Sequence, residues 1–287
     1  MAKLKKGALF ATVLLVFTLF IGTSAFAHEL WIEVEEAPEG GELKVDIMWG
    51  HIRDFLDRAS YENYELFVRT PEGQVNQLEL EGIGVQARAY VEAGQQGQYV
   101  FWALRNPGTF TPGNGITTLS VQKAKTVYQH GEGSGTAGEP VDMLLEIVPE
   151  TDLTTFSGNE FKGIVLFEGS PAVSATISAY GPSDEVLESE TSGDGHFELT
   201  LDSPGIWLIK ANIASDEEGN YDGEDYGKVS RTSTLVFDSG RNPAVPTQAA
   251  PVQAPTRPPI SSMILPLIIG LLVGGAGTLL LVGKKNK

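Results

Sequence analysis

Alternation of apolar and polar residues dominates the middle of the chain. Short alternating runs are separated by Gly, Pro, Asn and Asp, and they include LKVDIMWGH, YELFVRT, QYVFWALR and TTLSVQKAKTVY. Because the side chains of a strand point alternately to opposite faces, a period of two is typical of strands with one buried face. The segment nearest to a helical pattern is RDFLDRASYENY, residues 53–64, which also fits a turn or an irregular loop. The pattern therefore predicts an all-β fold.

A break in this alternation divides the predicted strands into two groups. A connection containing Pro follows the apolar run LLEIVP, and a further series of short runs comes after it. Short strands at this spacing are typical of antiparallel sandwiches. We therefore expect an N-terminal β-sandwich over residues 28–150 and a smaller immunoglobulin-like or transthyretin-like β-sandwich over residues 151–238. Residues 239–259 are rich in Pro and Ala, which predicts an extended linker.

Apolar runs at both ends of the chain predict targeting segments. A basic start, an apolar stretch and the motif AFA at residues 25–27 are typical of a cleaved signal peptide over residues 1–27, which leaves His28 first; an uncleaved anchor is the alternative. Residues 260–282 carry no charge and, at about 1.5 Å per residue, are long enough to cross a ~30 Å hydrocarbon core as a transmembrane helix. The lysines in residues 283–287 favour the cytoplasmic side. The sequence thus predicts a single-pass protein of the cytoplasmic membrane with extracytoplasmic β-domains and a cytoplasmic tail.

Acidic residues outnumber basic ones by 37 to 20, which gives a net charge of −17. All of the acidic residues precede Ser239. Such a surface repels nucleic acid and attracts cations or basic partners, and it also keeps an exposed domain soluble. The chain has no cysteine, which excludes disulfides and thiolate metal sites. The acidic segment at residues 215–227 lacks the spacing of a helix-flanked calcium loop, so a solvated loop is favoured and Ca²⁺ binding is the alternative.

Histidines at strand ends are the first candidate metal ligands. By alternation, His28 shares a strand face with Leu30, and His51 shares one with Trp49. If the two strands pair antiparallel, both imidazoles meet at one sheet edge, where Trp31 and Trp49 could exclude water. After cleavage, the α-amine and Nδ1 of His28 can chelate one metal together, and nitrogen-rich sets suit Cu(II) and Ni(II). The alternative is a pair of partly buried histidines that bind backbone carbonyls.

Other polar residues extend this candidate set. His130, in the glycine-rich segment QHGEGSG, is a candidate third ligand, and Glu29 is a candidate carboxylate ligand. His196 follows the turn SGDG and is predicted to be a surface residue of a strand. The sequence contains no nucleophile elbow, phosphate-binding glycine loop or HExxH motif, so we do not expect an enzyme.

Several segments together resemble a bacterial periplasmic family, the nickel-uptake substrate-specific region: AHELWIE, VDIMWGH, LLEIVPETDLTTFSGNEFKGIVLFEGSPAVSATISAY, TSGDGHFELTLDSPGIWLIKANI and SRTSTLVF. The resemblance covers most of residues 28–238. It implies that the chain occurs together with an energy-coupling-factor transporter for nickel and cobalt. The family's leading histidine corresponds to His28, and its Gly-His pair corresponds to Gly50 and His51. The segment IRDFLDR replaces the FP-like turn that usually follows in this family.

These features favour a membrane-anchored accessory subunit that captures Ni²⁺ or Co²⁺ and passes it to the integral membrane subunits of an energy-coupling-factor transporter. His28 and His51 would bind the ion, with His130 or Glu29 completing the set. A non-enzymatic adhesion or structural β-sandwich protein is one alternative. A copper-handling protein that uses the same N-terminal histidine is another, because Cu²⁺ binds nitrogen ligands more strongly than Ni²⁺ or Co²⁺.

Overall fold

The computed structural model describes residues 28–113, 115–156 and 159–240. They form an all-β fold, as predicted, with one turn of 3₁₀-helix at Tyr61–Asn63 and no α-helix among them. The strands are β1 (Glu29–Glu36), β2 (Glu42–His51), β3 (Phe55–Leu56), β4 (Tyr64–Arg69), β5 (Val75–Leu78), β6 (Glu81–Ile83), β7 (Gln86–Glu92), β8 (Gly97–Arg105), β9 (Gly108–Phe110), β10 (Thr118–His130), β11 (Leu145–Pro149), β12 (Asn159–Phe167), β13 (Ser170–Pro171), β14 (Thr176–Tyr180), β15 (Val186–Glu190), β16 (His196–Leu201), β17 (Ile206–Ser215), β18 (Gly219–Tyr221), β19 (Glu224–Tyr226) and β20 (Lys228–Asp238).

Three sheets of these strands make up the body of the fold. The N-terminal sheet has the order β1-β2-β7-β6, with β3 paired to β2. The central sheet has nine strands in the order β15-β14-β17-β20-β10-β8-β4-β5, with β9 paired to β10. The C-terminal sheet has the order β11-β12-β13, with β16 paired to β12. Strands β18 and β19 form a separate hairpin.

The N-terminal sheet packs on one face of the central sheet. Alternate residues of β1 and β2 point inward because side chains alternate along a strand. They meet apolar residues of β4, β8 and β10. This core includes Leu30, Ile32, Leu43, Val45, Ile47, Leu66, Val68, Tyr99, Phe101, Ala103, Ala124 and Tyr128, with Val34 and Trp49 packed against it.

The C-terminal sheet packs on the opposite face of the central sheet. Val100 and Val127 alternate with Phe101 and Tyr128, and they belong to a second core. That core is larger and includes Leu145, Ile147, Phe161, Val165, Ile177, Phe197, Leu199, Trp207, Ile209, Leu235 and Phe237.

The central sheet continues across residue 150, where the sequence predicts a boundary between two units. Strand β10 pairs in parallel with β20, so Thr118 faces Lys228 and Thr126 faces Val236. All described residues accordingly belong to one compact unit. The two large hydrophobic cores of the described residues lie on either side of this shared sheet, so more than a linker joins them.

A buried ion pair connects the central and C-terminal sheets. Lys125 Nζ of β10 lies 2.7 Å from Glu146 Oε1 of β11, and neither side chain is exposed beyond 1%. Glu146 also accepts backbone N–H bonds from Val141 and Met143, at 2.9 and 3.4 Å. Burial lowers the pKa of Lys125, and the charge of Glu146 opposes that shift.

Several predicted segments lie outside the described residues. These are the signal peptide at 1–27, the transmembrane helix at 260–282, the tail at 283–287 and all but two residues of the linker at 239–259. Within the described part of the chain, no helix has the length and apolar character needed to cross a membrane.

Candidate functional site

The start of β1 brings two histidines together. Strand β1 pairs antiparallel with β2, and Glu29 faces Gly50. This register places His28, the residue before β1, beside His51, the last residue of β2. Their ring centroids are 4.7 Å apart and the rings meet edge to face at 73°. The two rings are therefore close enough for their nitrogens to face one ion.

Asp57 contacts the His28 ring from the segment after β3. The chain turns back after β2, and the amide of Asp57 donates to the carbonyl of Trp49 at 2.8 Å. From there the Asp57 carboxylate binds Nε2 of His28. Histidines that bind metals commonly donate their second ring N–H to a carboxylate, which fixes the tautomer and the ring orientation. A carboxylate on Nε2 leaves metal binding to Nδ1, the ring nitrogen nearer the main chain.

The turn that carries Asp57 depends on close backbone contact. A Cβ on Gly50 would lie 2.2 Å from the carbonyl oxygen of Phe55, so only glycine lets β3 approach β2 this closely. The tip of the turn is held by Arg53, whose guanidinium donates to the backbone oxygens of Gly181 and Glu185. The central sheet thus helps to fix the position of Asp57.

Aromatic side chains border the histidine pair. The Trp49 ring stacks on His28 with centroids 5.3 Å apart and planes 17° from parallel. The Arg105 guanidinium lies 3.9 Å from the Trp49 ring centroid, within the range of a cation–π contact. Phe55 lies 4.5 Å from His51 and remains 47% exposed. Aromatic rings therefore cover part of the histidine pair, and the pair remains partly accessible to solvent.

Trp31 is not one of these rings, contrary to the sequence-based prediction. It packs with Met48, Leu208 and Val236 in a small separate cluster. Residues 31 and 49 lie on opposite faces because Trp31 pairs with Met48 across the strands.

The free edge of β1 is fastened to the central sheet by side chains. The Gln122 amide Nε2 donates to the His28 carbonyl at 3.1 Å, and Thr234 Oγ1 donates to the Leu30 carbonyl at 2.6 Å. These bonds replace the ladder bonds that an edge strand lacks. The bond from Gln122 also holds the backbone of His28 in place.

Glu29 points away from the histidine pair, because neighbouring residues of a strand alternate in direction. Its carboxylate is buried and lies 3.0 Å from Lys210 Nζ. Burial alone would lower the pKa of Lys210, but contact with Glu29 and with the Tyr180 hydroxyl outweighs burial and holds that pKa above its ordinary value. The structure therefore places Glu29 in an ion pair with Lys210 and not beside His28.

His130 lies at the other end of β1. Its Nδ1 is 3.6 Å from Glu36, the last residue of β1, and its ring is edge-on to Tyr99 at 6.4 Å. The eight residues of β1 carry the chain from His28 to this end, a distance of about 26 Å at about 3.3 Å per residue. His130 is thus not brought to the pair formed by His28 and His51.

His196 is a partly exposed strand residue, in line with the expected surface position. Its Nε2 lies 3.0 Å from Glu150 and its Nδ1 lies 3.3 Å from Asp194. Loss of hydration would lower the pKa of His196, but the hydrogen bond to Asp194 and the charges of both carboxylates raise it overall.

The acidic segment at residues 215–227 contains the β18–β19 hairpin. Asp225 accepts from the Asn220 amide at 2.7 Å, and Glu217 pairs with Arg231 at 2.9 Å. These two carboxylates are held by the protein's own donors.

Side chains alone do not complete a metal site in the part of the chain that the structure describes. No group of three or more His, Cys, Asp and Glu residues there is arranged to hold an ion. His28 and His51 offer two imidazoles, while Asp57 is engaged with the Nε2 side of His28. A third donor would have to come from the main chain.

Asp57 is the residue of this group that the sequence did not predict. The segment at residues 53–64 has no clear periodicity, so alternation assigns no face to Asp57. The apolar pair Phe55 and Leu56 directly before it is the only sequence signal of the short strand β3.

Comparison with known proteins gives a family but no described activity. Residues 25–215 match a family model described as a domain of unknown function, DUF4198. No curated protein matches the sequence.

Similar solved structures include a bacterial ice-binding adhesin of 1.5 MDa, at 10% identity and a TM-score of 0.22, over 76% of this chain and 65% of that one. A DUF4785 family protein from Legionella pneumophila is 13% identical with a TM-score of 0.23, over 63% and 52% of the two chains. A two-domain fibronectin type III segment of chicken tenascin is 14% identical with a TM-score of 0.17, over 70% and 95%. Likenesses at this level carry no conclusion about function.

Proposed function

The chain belongs to the DUF4198 family, a domain of unknown function, and we propose that it captures a divalent transition-metal ion at the start of β1. The ligands are the α-amine and Nδ1 of His28, once the chain has been cleaved before that residue, and an imidazole nitrogen of His51. The single observation that carries this proposal is the arrangement of His28, whose ring centroid lies 4.7 Å from that of His51 and whose Nε2 contacts Asp57.

Three features of the site support this assignment. The N-terminal amine and the imidazole of His28 supply two donors from one residue, so with His51 the set of three donors needs only two residues, and the described residues contain no group of three side-chain ligands. Asp57 occupies the position of a carboxylate that orients a metal-bound histidine. The net charge of −17 raises the local concentration of cations.

The biological role that we propose is delivery of the ion to a membrane transporter. Residues 1–27 act as the signal peptide and residues 260–282 anchor the chain. The two sandwiches, which form on either side of the shared central sheet, lie outside the cytoplasmic membrane. The ion is Ni²⁺ or Co²⁺, and the recipients are integral membrane subunits of an energy-coupling-factor transporter. The partly open site suits transfer, because a donor must also release its ion.

Calorimetric titration of the full chain, cleaved to begin at His28 and held in detergent, tests metal capture with Ni²⁺, Co²⁺ and Cu²⁺. We expect one equivalent to bind, and we expect His51→Ala to lower affinity at least about tenfold. An extra Ala before His28 should have a similar effect, because it moves the amine away from the imidazole. His196→Ala and His130→Ala are matched controls that should leave affinity unchanged. Binding that is insensitive to both changes at the site would refute the proposal.

Deletion of the gene separates metal uptake from copper handling. Loss of Ni²⁺ or Co²⁺ accumulation supports delivery to an uptake transporter. Loss of copper tolerance with normal nickel accumulation would assign the same site to copper instead.

A further inference from the structure

The side-chain amide of Gln122 donates hydrogen bonds through Nε2, but its Oε1 accepts none from the described residues. Its Nε2 donates to the His28 carbonyl at 3.1 Å and to Ser120 Oγ at 3.2 Å. The residue is only 3% exposed. Its Oε1 is buried and has no hydrogen-bond partner among the described residues. A buried acceptor without a hydrogen-bond donor destabilises a protein, so we expect the mature chain to supply one.

The orientation of this amide is fixed by its neighbours. Exchanging the nitrogen and oxygen would place Oε1 against the carbonyl oxygen of His28, and two acceptors would then face each other. Oε1 therefore remains the atom without a partner.

The missing donor is on the same edge of the chain. In an antiparallel strand the N–H and C=O of one residue point to the same side. The carbonyls of His28 and Leu30 both point to the central sheet, where Gln122 and Thr234 bind them. The main-chain nitrogen of His28 consequently faces the side on which the Gln122 amide lies.

We infer that Gln122 Oε1 accepts a hydrogen bond from the α-amine of the cleaved chain, which makes Gln122 a positioning residue for the metal-binding amine. This inference rests on the function proposed above. An amine bound to a metal keeps two N–H bonds, and one of them can point to Oε1. That bond fixes rotation about the Cα–N bond, so the amine lone pair stays directed to the ion shared with Nδ1. Gln122 then holds the amine as Asp57 holds the ring.

The test uses the full chain cleaved to begin at His28, in detergent, with Ni²⁺ as the probe. Affinity and the d–d absorption band are measured for wild type and for Gln122→Met, a substitution of similar length without polar atoms. We expect the substitution to weaken Ni²⁺ binding by about 10–100-fold and to shift the band. Thr234→Val is the matched control, because it removes the other bond to the β1 edge without touching the amine. It should change affinity by less than about threefold and leave the band unchanged.

A second comparison separates amine positioning from general fastening of β1. In a chain with one Ala added before His28, the amine is displaced, so Gln122→Met should have no further effect. Equal effects of Gln122→Met and Thr234→Val, or equal effects of Gln122→Met in both chains, would overturn the inference alone. Failure of the wild-type cleaved chain to bind Ni²⁺ would overturn the proposed function and this inference with it. Gln122→Asn, which keeps an amide too short to reach, replaces Gln122→Met if the latter does not fold.

Discussion

At His28, three neighbours hold different parts of one residue. Asp57 binds the ring at Nε2, Trp49 covers a ring face and Gln122 binds the main-chain carbonyl. A side chain held this way loses little further freedom when it binds a ligand, which favours affinity. The partner ring of His51 comes from the neighbouring strand, so the β1–β2 register brings it to His28, and Phe55 packs against it.

Replacement of Asp57 should weaken metal binding more than the loss of one negative charge elsewhere in the same turn. Asp57→Asn keeps the shape of the side chain but replaces the carboxylate that orients the ring, so we expect Ni²⁺ affinity to fall by about 10–100-fold. Calorimetry on the cleaved chain measures this. Asp54→Asn is the charge-matched control, because Asp54 is exposed in the same turn. Similar small losses for both variants would mean that Asp57 contributes only long-range attraction.

His196 should give the fold a measurable dependence on pH. Its pKa is raised above the ordinary value of 6.5, so the folded state favours the charged imidazole. The stabilisation is fully present below pH 6.5 and is lost as the pH rises through the folded-state value. The difference in melting temperature between wild type and His196→Gln should therefore be larger at about pH 5.5 than at about pH 8.5. A difference that is the same at both values would contradict this assignment.

Alternation along strands predicted the meeting of His28 and His51, because that argument needs only the period of two and one pairing. The same rule could have excluded Glu29, which as a direct neighbour of His28 must point to the other face. Asp57 and His130 needed more information. The position of Asp57 depends on the backbone path of a turn, and that of His130 depends on which strand lies beside β1.

At the level of elements, the site depends on an edge strand and on a two-residue strand. Strand β1 pairs on one side with β2, and its other side is held by side-chain bonds to β10 and β20. Strand β3 is short, yet it delivers Asp57 because it lies against Gly50. The long alternating strands could be predicted from the sequence. The short ones could not, since two residues contain no period.

Gly50→Ala should separate β3 from β2. The added Cβ would lie 2.2 Å from a backbone oxygen, so the turn must shift and Asp57 must move with it. We expect a loss of about 1–3 kcal/mol in the free energy of unfolding, together with weaker Ni²⁺ binding. Denaturant titration and calorimetry measure the two effects. Gly94→Ala is the control, because a Cβ at Gly94 meets open space; equal stability of both variants would show that β3 does not need this close approach.

At the level of the whole molecule, the central sheet joins residues that are far apart in sequence. Strands β10 and β20 pair in parallel, although about a hundred residues separate them. Sequence periodicity carries no information about such a pairing, because it depends on the free energy of the complete fold. For this reason the sequence predicted an all-β chain correctly but did not predict that both groups of strands share one sheet.

Removal of one partner of the buried ion pair between Lys125 and Glu146 should lower the free energy of unfolding. Lys125→Met leaves the Glu146 carboxylate buried without its counter-ion, and we expect it to destabilise the protein by about 3–5 kcal/mol. Equilibrium unfolding in urea measures the loss. Lys44→Met, which breaks an exposed pair with Glu35, should cost less than about 1 kcal/mol. A loss of that smaller size for Lys125→Met would mean that Glu146 is satisfied by backbone donors alone.

The last described strand, β20, lies in the interior of the central sheet, between β17 and β10. Synthesis delivers the chain from its N-terminus, so β10 and β17 are complete, each with an unpaired side, before β20 is made. Open sides of this kind invite pairing with other chains, and long-range pairing is slow to form. A nascent molecule should therefore need protection from aggregation until residues 228–238 are available. A chain that stops before them would lose the strand that joins β17 to β10 in the middle of the central sheet.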